Sequence, residues 1–178
     1  MFAEVPVLPV VVPLAALVLA VLVWHLLRRG LLSVPRAAVA LALCVYVAGV
    51  VANTVFPIYL DKPANDAEWD AFLNLTPIAG YEAGDAVMNV CVFVPLGVLL
   101  ALALPRWPWW RVLGVAALIS LGIELTQWLT AGLLGGGHVA DVNDLLFNVV
   151  GAAVGTALLA ALVRVPVAEP VVDRFSWA

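Results

Sequence analysis

Five separate stretches of this chain are each apolar for about twenty residues, the length that crosses a hydrocarbon core. They cover residues 5–27, 37–56, 86–104, 112–131 and 145–163. A bilayer core holds no water to satisfy exposed backbone groups, so each stretch must be helical to span it. Composition agrees: 65% of the 178 residues are hydrophobic and 11% are charged, where a soluble domain has about 25% charged residues. The expected fold is all-α, an integral membrane helical bundle of five transmembrane helices forming one domain. Pro6, Pro9 and Pro13 lie near the start of the first stretch. Arg28 and Arg29 follow that stretch, whereas a cleavable signal peptide has its positive charge ahead of the apolar run.

The net charge of −4 hides a segregation along the chain. In a five-span arrangement Arg28, Arg29, Arg36, Arg106, Arg111, Arg164 and Arg174 all fall on one side, and Lys62 alone falls on the other. The positive-inside rule makes the arginine side cytoplasmic. The expectation is a multi-pass cell-membrane protein with its N-terminus outside and its C-terminus inside. The outer side is acidic, with Asp61, Asp66, Glu68, Asp70, Glu82, Asp85, Asp141 and Asp144. No basic tract suits nucleic acid. Cys44 and Cys91 sit inside apolar runs and read as small buried hydrophobes. In the outer loop, residues 57–85, Trp69, Phe72 and Leu73 follow helical spacing. A short interfacial helix is expected there, limited by Pro77.

Ionisable and amide side chains inside membrane spans are costly and normally face the bundle interior. Glu124 and Gln127 share one face of the fourth stretch, with Ser120 and Ala131 extending it. At about 1.5 Å per residue, Glu124 lies roughly 10 Å below the outer surface, Gln127 roughly 6 Å, and Asn89 and Asn148 roughly 5 Å. Three spans thus place polar groups in one layer. On the fifth span Asp141, Asp144, Asn148, Gly151 and Gly155 share a stripe within roughly 80° of one another, if the helix begins that early. Its lower part is a G-x-x-x-G pattern, which permits close helix approach. Other readings stand beside this one. Asp141 or Asp144 suits a helix N-cap, and Asn89, Gln127 and Asn148 suit interhelical hydrogen bonding. His138 suits a solvated loop, and His25 an anchor at the inner interface. Pro95 and Gly97 are expected to kink the third span.

The motifs resemble those of the VanZ-like membrane proteins. "NVCVFVPLG", residues 89–97, is similar to the family's N-x-x-x-F-x-P-L-G segment. "SLGIELTQ" resembles its S-x-x-I-E-x-x-Q helix, and "HVADVNDLLFNVVGAAVG" its R-x-x-D-x-x-D-x-x-x-N-x-x-G-x-x-x-G segment. "NLTPI" resembles a shorter N-L-x-P pattern. The resemblance covers roughly residues 40–163 and carries over Asn89, Pro95, Gly97, Glu124, Gln127, Asp141, Asp144, Asn148 and Gly151. It divides the chain into a first helix and cytoplasmic turn (1–36), a VanZ-like domain (37–165) and a cytoplasmic tail (166–178). His138 stands where the family has arginine; histidine titrates and can ligate metal, so an obligatory anion clamp is not implied.

The resemblance implies a cell-envelope protein linked to glycopeptide (teicoplanin) resistance. The expected activity is binding or modifying an amphiphilic or lipid-linked molecule at the outer leaflet. The candidate polar site is Asn89, Glu124, Gln127, His138, Asp141, Asp144 and Asn148. Gly151, Gly155, Pro95 and Gly97 are the expected packing positions. One alternative is a membrane-embedded enzyme acting on a lipid headgroup, with Glu124 as acid or base and a divalent cation on Asp141 and Asp144. Another is a proton-coupled transporter or channel subunit. No organic cofactor is expected. The partners expected are membrane lipid and an amphiphilic or lipid-linked envelope molecule, with a homo-oligomer left open.

Overall fold

The computed structural model describes residues 3–62, 68–134 and 138–178. Five helices in it are long and apolar enough to cross a membrane: α1 (Val7–Arg28), α2 (Val34–Val55), α3 (Ala83–Ala103), α4 (Trp109–Leu134) and α5 (Val142–Val163). A sixth, α6 (Glu169–Phe175), is short. The helix ends follow local chemistry. Gly30, at φ +65°, terminates α1. Leu31 N–H reaches back to the Leu26 carbonyl and Gly30 N–H to Leu27, the paired closure that a left-handed residue permits. Proline in the first turn of α2 costs no hydrogen bond, because that N–H has no intrahelical acceptor.

The helices alternate in direction. Val5 N–H donates to the Ile58 carbonyl (2.9 Å), which puts the start of α1 beside the chain just after α2. Tyr59 N–H meets the Leu134 carbonyl at the end of α4. At the opposite end Trp177 N–H caps the Leu102 carbonyl at the close of α3 (2.9 Å), and Arg36 Nε donates to the Ser176 carbonyl (2.7 Å). The arginine-bearing termini therefore share one end of the bundle and the acidic loops the other. Residues 166–178, expected as a tail, instead form α6 and a docked strap under the arginine end, with Trp177 tilted against His25.

The tightest pair is α3 with α5, which run parallel. A Cβ added to Gly151 would sit 2.3 Å from the Val90 carbonyl oxygen, and one at Gly155 2.1 Å from that of Val94. Gly97 faces back the same way, 2.2 Å from the Ala152 carbonyl oxygen. The α3 helix carries Pro95 in its interior, and Gly97, half a turn on, serves the close approach to α5. Phe93, Leu96, Ala116 and Ala152 form the adjoining core. By contrast α1 packs mainly on α2 and exposes Leu8, Leu14, Leu17 and Val21, the surface a lipid-facing helix presents. Cys44 is buried, its thiol donating to the Ala15 carbonyl, but Cys91 is exposed on the bundle surface, contrary to the burial expected from its apolar run. A lipid-facing thiol needs no protein cover, so an apolar run alone does not distinguish the two environments.

The short helix expected in the acidic-end loop is a single 3-10 turn, Trp69–Phe72. Trp69 packs edge-on against Trp128 and over Gly132, while the Trp128 indole donates to the Trp69 carbonyl (3.0 Å). The chain then forms β1 (Leu73–Asn74), which pairs in parallel with β2 (Ala140–Asp141). Asp66 and Gly135 lie outside the described residues.

Candidate functional site

Helix α4 buries the face that its spacing predicts, Ser120, Glu124, Gln127 and Ala131, and Thr130 beside it is buried as well. The Glu124 carboxylate accepts from the Asp141 backbone N–H (2.8 Å). The loop entering α5 is thus clamped to the bundle interior by one side-chain acceptor. Asp141 is the N-cap of α5, outside the helix; Oδ1 accepts from the Asn143 N–H, satisfying a donor the first turn leaves open. Its Oδ2 accepts from Asn74 Nδ2 (2.8 Å), beside the β1–β2 pairing. Asp144, one turn on, accepts from Asn89 Nδ2 (2.8 Å) and from the Tyr81 hydroxyl. Tyr81 stacks on Phe147 with ring centroids 5.4 Å apart. Burial, and then the adjacent Asp144 carboxylate, push the Tyr81 hydroxyl pKa up, so it remains a donor at neutral pH.

Asn143 is wholly buried and joins the site to the preceding loop. Its Oδ1 accepts from the Ile78 N–H (2.7 Å), and its Nδ2 donates to the Thr76 carbonyl and to Asp141 Oδ1. Ile78 has a φ of +66°, an unfavourable conformation for a β-branched residue. The Asn143 bonds hold it there.

The predicted polar residues are not all in mutual contact. Glu124 makes no hydrogen bond to Gln127, although they share a face; Gln127 Nε2 donates to the Thr54 carbonyl on α2 (3.0 Å). Asn148 Nδ2 donates to Ser120 Oγ (2.9 Å), joining α5 to α4. Asn89, Glu124, Gln127, Asp144 and Asn148 all line one cavity of about 540 Å³, together with Asn53 and Thr54 of α2. Asp141 lies outside its wall, beyond Glu124, beside a smaller pocket lined by Leu121, Leu125 and Leu145. His138 is half-buried and lines none of these cavities. Sequence reasoning missed Asn143, Tyr81 and Asn74. Asn74 stood in the quoted "NLTPI", and Tyr81 carried no pattern.

The cavity has two notable features. Gln127 Oε1 and Asn148 Oδ1 are buried and have no hydrogen-bond partner, a costly condition in an apolar surround. The cavity also shares Tyr46, Val50, Phe93 and Ile123 with an adjoining apolar pocket of about 230 Å³ between α2, α3 and α4, which adds Val47, Val51, Val55, Leu96 and Ile119. Val45, Gly49 and Asn53 of α2 and Met88 of α3 line it and are exposed, so its mouth opens sideways between these helices. Among the described residues no three His, Cys, Asp or Glu side chains gather in a metal-binding arrangement, and Asp141 and Asp144 already accept from donors within the chain.

Five apolar spans, four of which line a polar cavity with a lateral mouth, define a multi-pass membrane protein with an internal polar site. The chain belongs to the VanZ/LLP1 family, whose model matches residues 40–164. No curated protein and no solved structure matches it.

Proposed function

We propose that the protein binds an amphiphilic or lipid-linked molecule at the outer leaflet of the cell membrane, its headgroup in the polar cavity and its chain in the adjoining apolar pocket. The observation that carries this reading is the continuity of the two: buried, unpartnered amide oxygens at the acidic end lead into a wall of Val47, Leu96 and Ile119. The lateral mouth lets such a molecule enter from the membrane. The arginine end is then cytoplasmic and the acidic end faces the envelope, the side on which teicoplanin-type glycopeptides act. A role in glycopeptide resistance belongs to this proposal.

Gly49 provides the test. A Cβ there meets nothing within 4 Å, and the residue lines the cavity. Gly49→Phe should narrow the mouth without a backbone clash, and phenylalanine is a somewhat better helix former than the mid-helix glycine it replaces. Purified wild-type protein should retain a membrane amphiphile detectable by native mass spectrometry; Gly49→Phe should lose it at an unchanged or higher Tm. Equal retention by both would overturn the proposal. Orientation has its own measurement: a cysteine placed at the exposed Ala178 should resist an impermeant thiol reagent on intact cells and react after lysis.

A further inference from the structure

The geometry points to a specific headgroup chemistry, resting on the amphiphile-binding reading: the cavity takes a protonated primary amine. Every hydroxyl and every amide nitrogen on its wall already donates at least one hydrogen bond within the protein. The Tyr46 hydroxyl donates to the Val92 carbonyl, Asn53 Nδ2 to Gly49, and Thr54 Oγ1 to Val50. Asn89 Nδ2 donates to Asp144, Gln127 Nε2 to the Thr54 carbonyl, and Asn148 Nδ2 to Ser120.

The acceptors remain. Gln127 and Asn148 are 5% and 4% exposed, and each has an amide oxygen without a partner. The orientation of Gln127 is fixed chemically, since only its nitrogen can face the Thr54 carbonyl, so its free atom is an acceptor. Glu124 and Asp144 add two carboxylates, one accepting a backbone N–H and the other a hydroxyl and an amide. No lysine, arginine or histidine lines the cavity, and none among the described residues pairs with either carboxylate.

A wall of acceptors and acids suits a ligand that brings donors and positive charge. An ammonium group supplies three N–H donors and a compact charge. A phosphate or sulfate supplies only acceptors and the wrong sign. A quaternary ammonium supplies charge but no donor, so it leaves the amide oxygens unsatisfied. The amine could belong to an aminophospholipid or to another amphiphile; the recognition chemistry is the same.

The test uses full-length protein in phosphatidylcholine nanodiscs, read by native mass spectrometry. Phosphatidylethanolamine and dodecylamine are titrated in, with dodecyltrimethylammonium as the donor-free match. Both primary amines should bind about tenfold or more tightly than their trimethylated counterparts, the scale of one charge-assisted hydrogen bond. Phosphatidylethanolamine binding without dodecylamine binding also supports the amine and assigns it to a lipid headgroup. Asp144→Asn keeps an acceptor for Tyr81 and removes charge; it should erase most of that preference while binding of a neutral amphiphile such as dodecyl maltoside persists. Glu124→Gln is the second such variant, should Asp144→Asn fail to fold. Equal binding of amines and trimethylated matches overturns the inference and leaves amphiphile binding standing. Binding of no amphiphile at all overturns both.

Discussion

Adding one methyl group at Gly155 is expected to cost the bundle about 3 kcal/mol, the upper range for overpacking a fitted core. The Cβ of Gly155→Ala would stand 2.1 Å from the Val94 carbonyl oxygen and 3.0 Å from its carbon. That oxygen is backbone, held in the hydrogen-bond ladder of α3, so no rotamer change can relieve the clash. The helices must separate, and separation also opens the contacts of Gly151 with Val90 and of Gly97 with Ala152. Dispersion falls steeply with such gaps, and in a membrane, packing rather than water exclusion holds helices together. Gly114→Ala is the control, because a Cβ there meets nothing within 4 Å. It should be neutral or stabilising by about 0.5–1 kcal/mol. Unfolding in mixed micelles would measure both. A Gly155→Ala protein as stable as Gly114→Ala would show that α3 and α5 do not meet at these glycines.

How much of this was legible beforehand differs by element. The spans were readable because a membrane helix is specified by local composition alone, and their ends moved only a few residues, α5 beginning at Val142 where the apolar run begins at Leu145. The small-residue stripe was readable for a similar reason: glycine four residues apart on one face has few uses besides close packing. The polar layer was legible as depth, because rise per residue converts position into height. Its bonding was not. Glu124 takes a backbone N–H and Gln127 gives to a backbone carbonyl, and backbone partners leave no trace in side-chain pattern. Asn143 sits one position from Asp144, off the stripe that drew attention, and its partners are Thr76 and Ile78 in a distant loop. Residues 166–178 carry too short an apolar face to announce α6, whose placement depends on the Arg36 and Leu102 contacts. His138 looked eligible by chemistry and by motif position, yet neither criterion encodes where a loop residue points.

Asn143→Leu is expected to release the loop of residues 73–81 while leaving the spans intact. Leucine fits the volume but offers no polar atom. The Ile78 N–H, bonded at 2.7 Å, and the Thr76 carbonyl, at 3.0 Å, would both lose their partner. Both bonds are part-buried, so each contributes about 0.5–1.5 kcal/mol and the local loss is about 1–3 kcal/mol. The loop has little to offset this. It contributes few buried apolar side chains, Leu75 and Ile78 being 66% exposed each, and Ile78 already holds a left-handed φ. Loss of the pin therefore favours local opening over global unfolding. The consequence reaches the cavity through Tyr81, which is carried by this loop and donates to Asp144. Once Tyr81 leaves, Asp144 keeps only Asn89 as a hydrogen-bond donor. Hydrogen exchange at the Ile78 amide should accelerate by about one to two decades, one decade per 1.4 kcal/mol. Helix content should be unchanged, and amphiphile retention should fall. Asn143→Asp should do no better, because a carboxylate at that position restores the Ile78 acceptor but faces Asp141 Oδ1, which Asn143 Nδ2 now approaches to 2.7 Å. An Ile78 amide that exchanges at the wild-type rate in Asn143→Leu would mean that the loop is held by its β1–β2 pairing and the Asn74–Asp141 bond, and that Asn143 is a passenger.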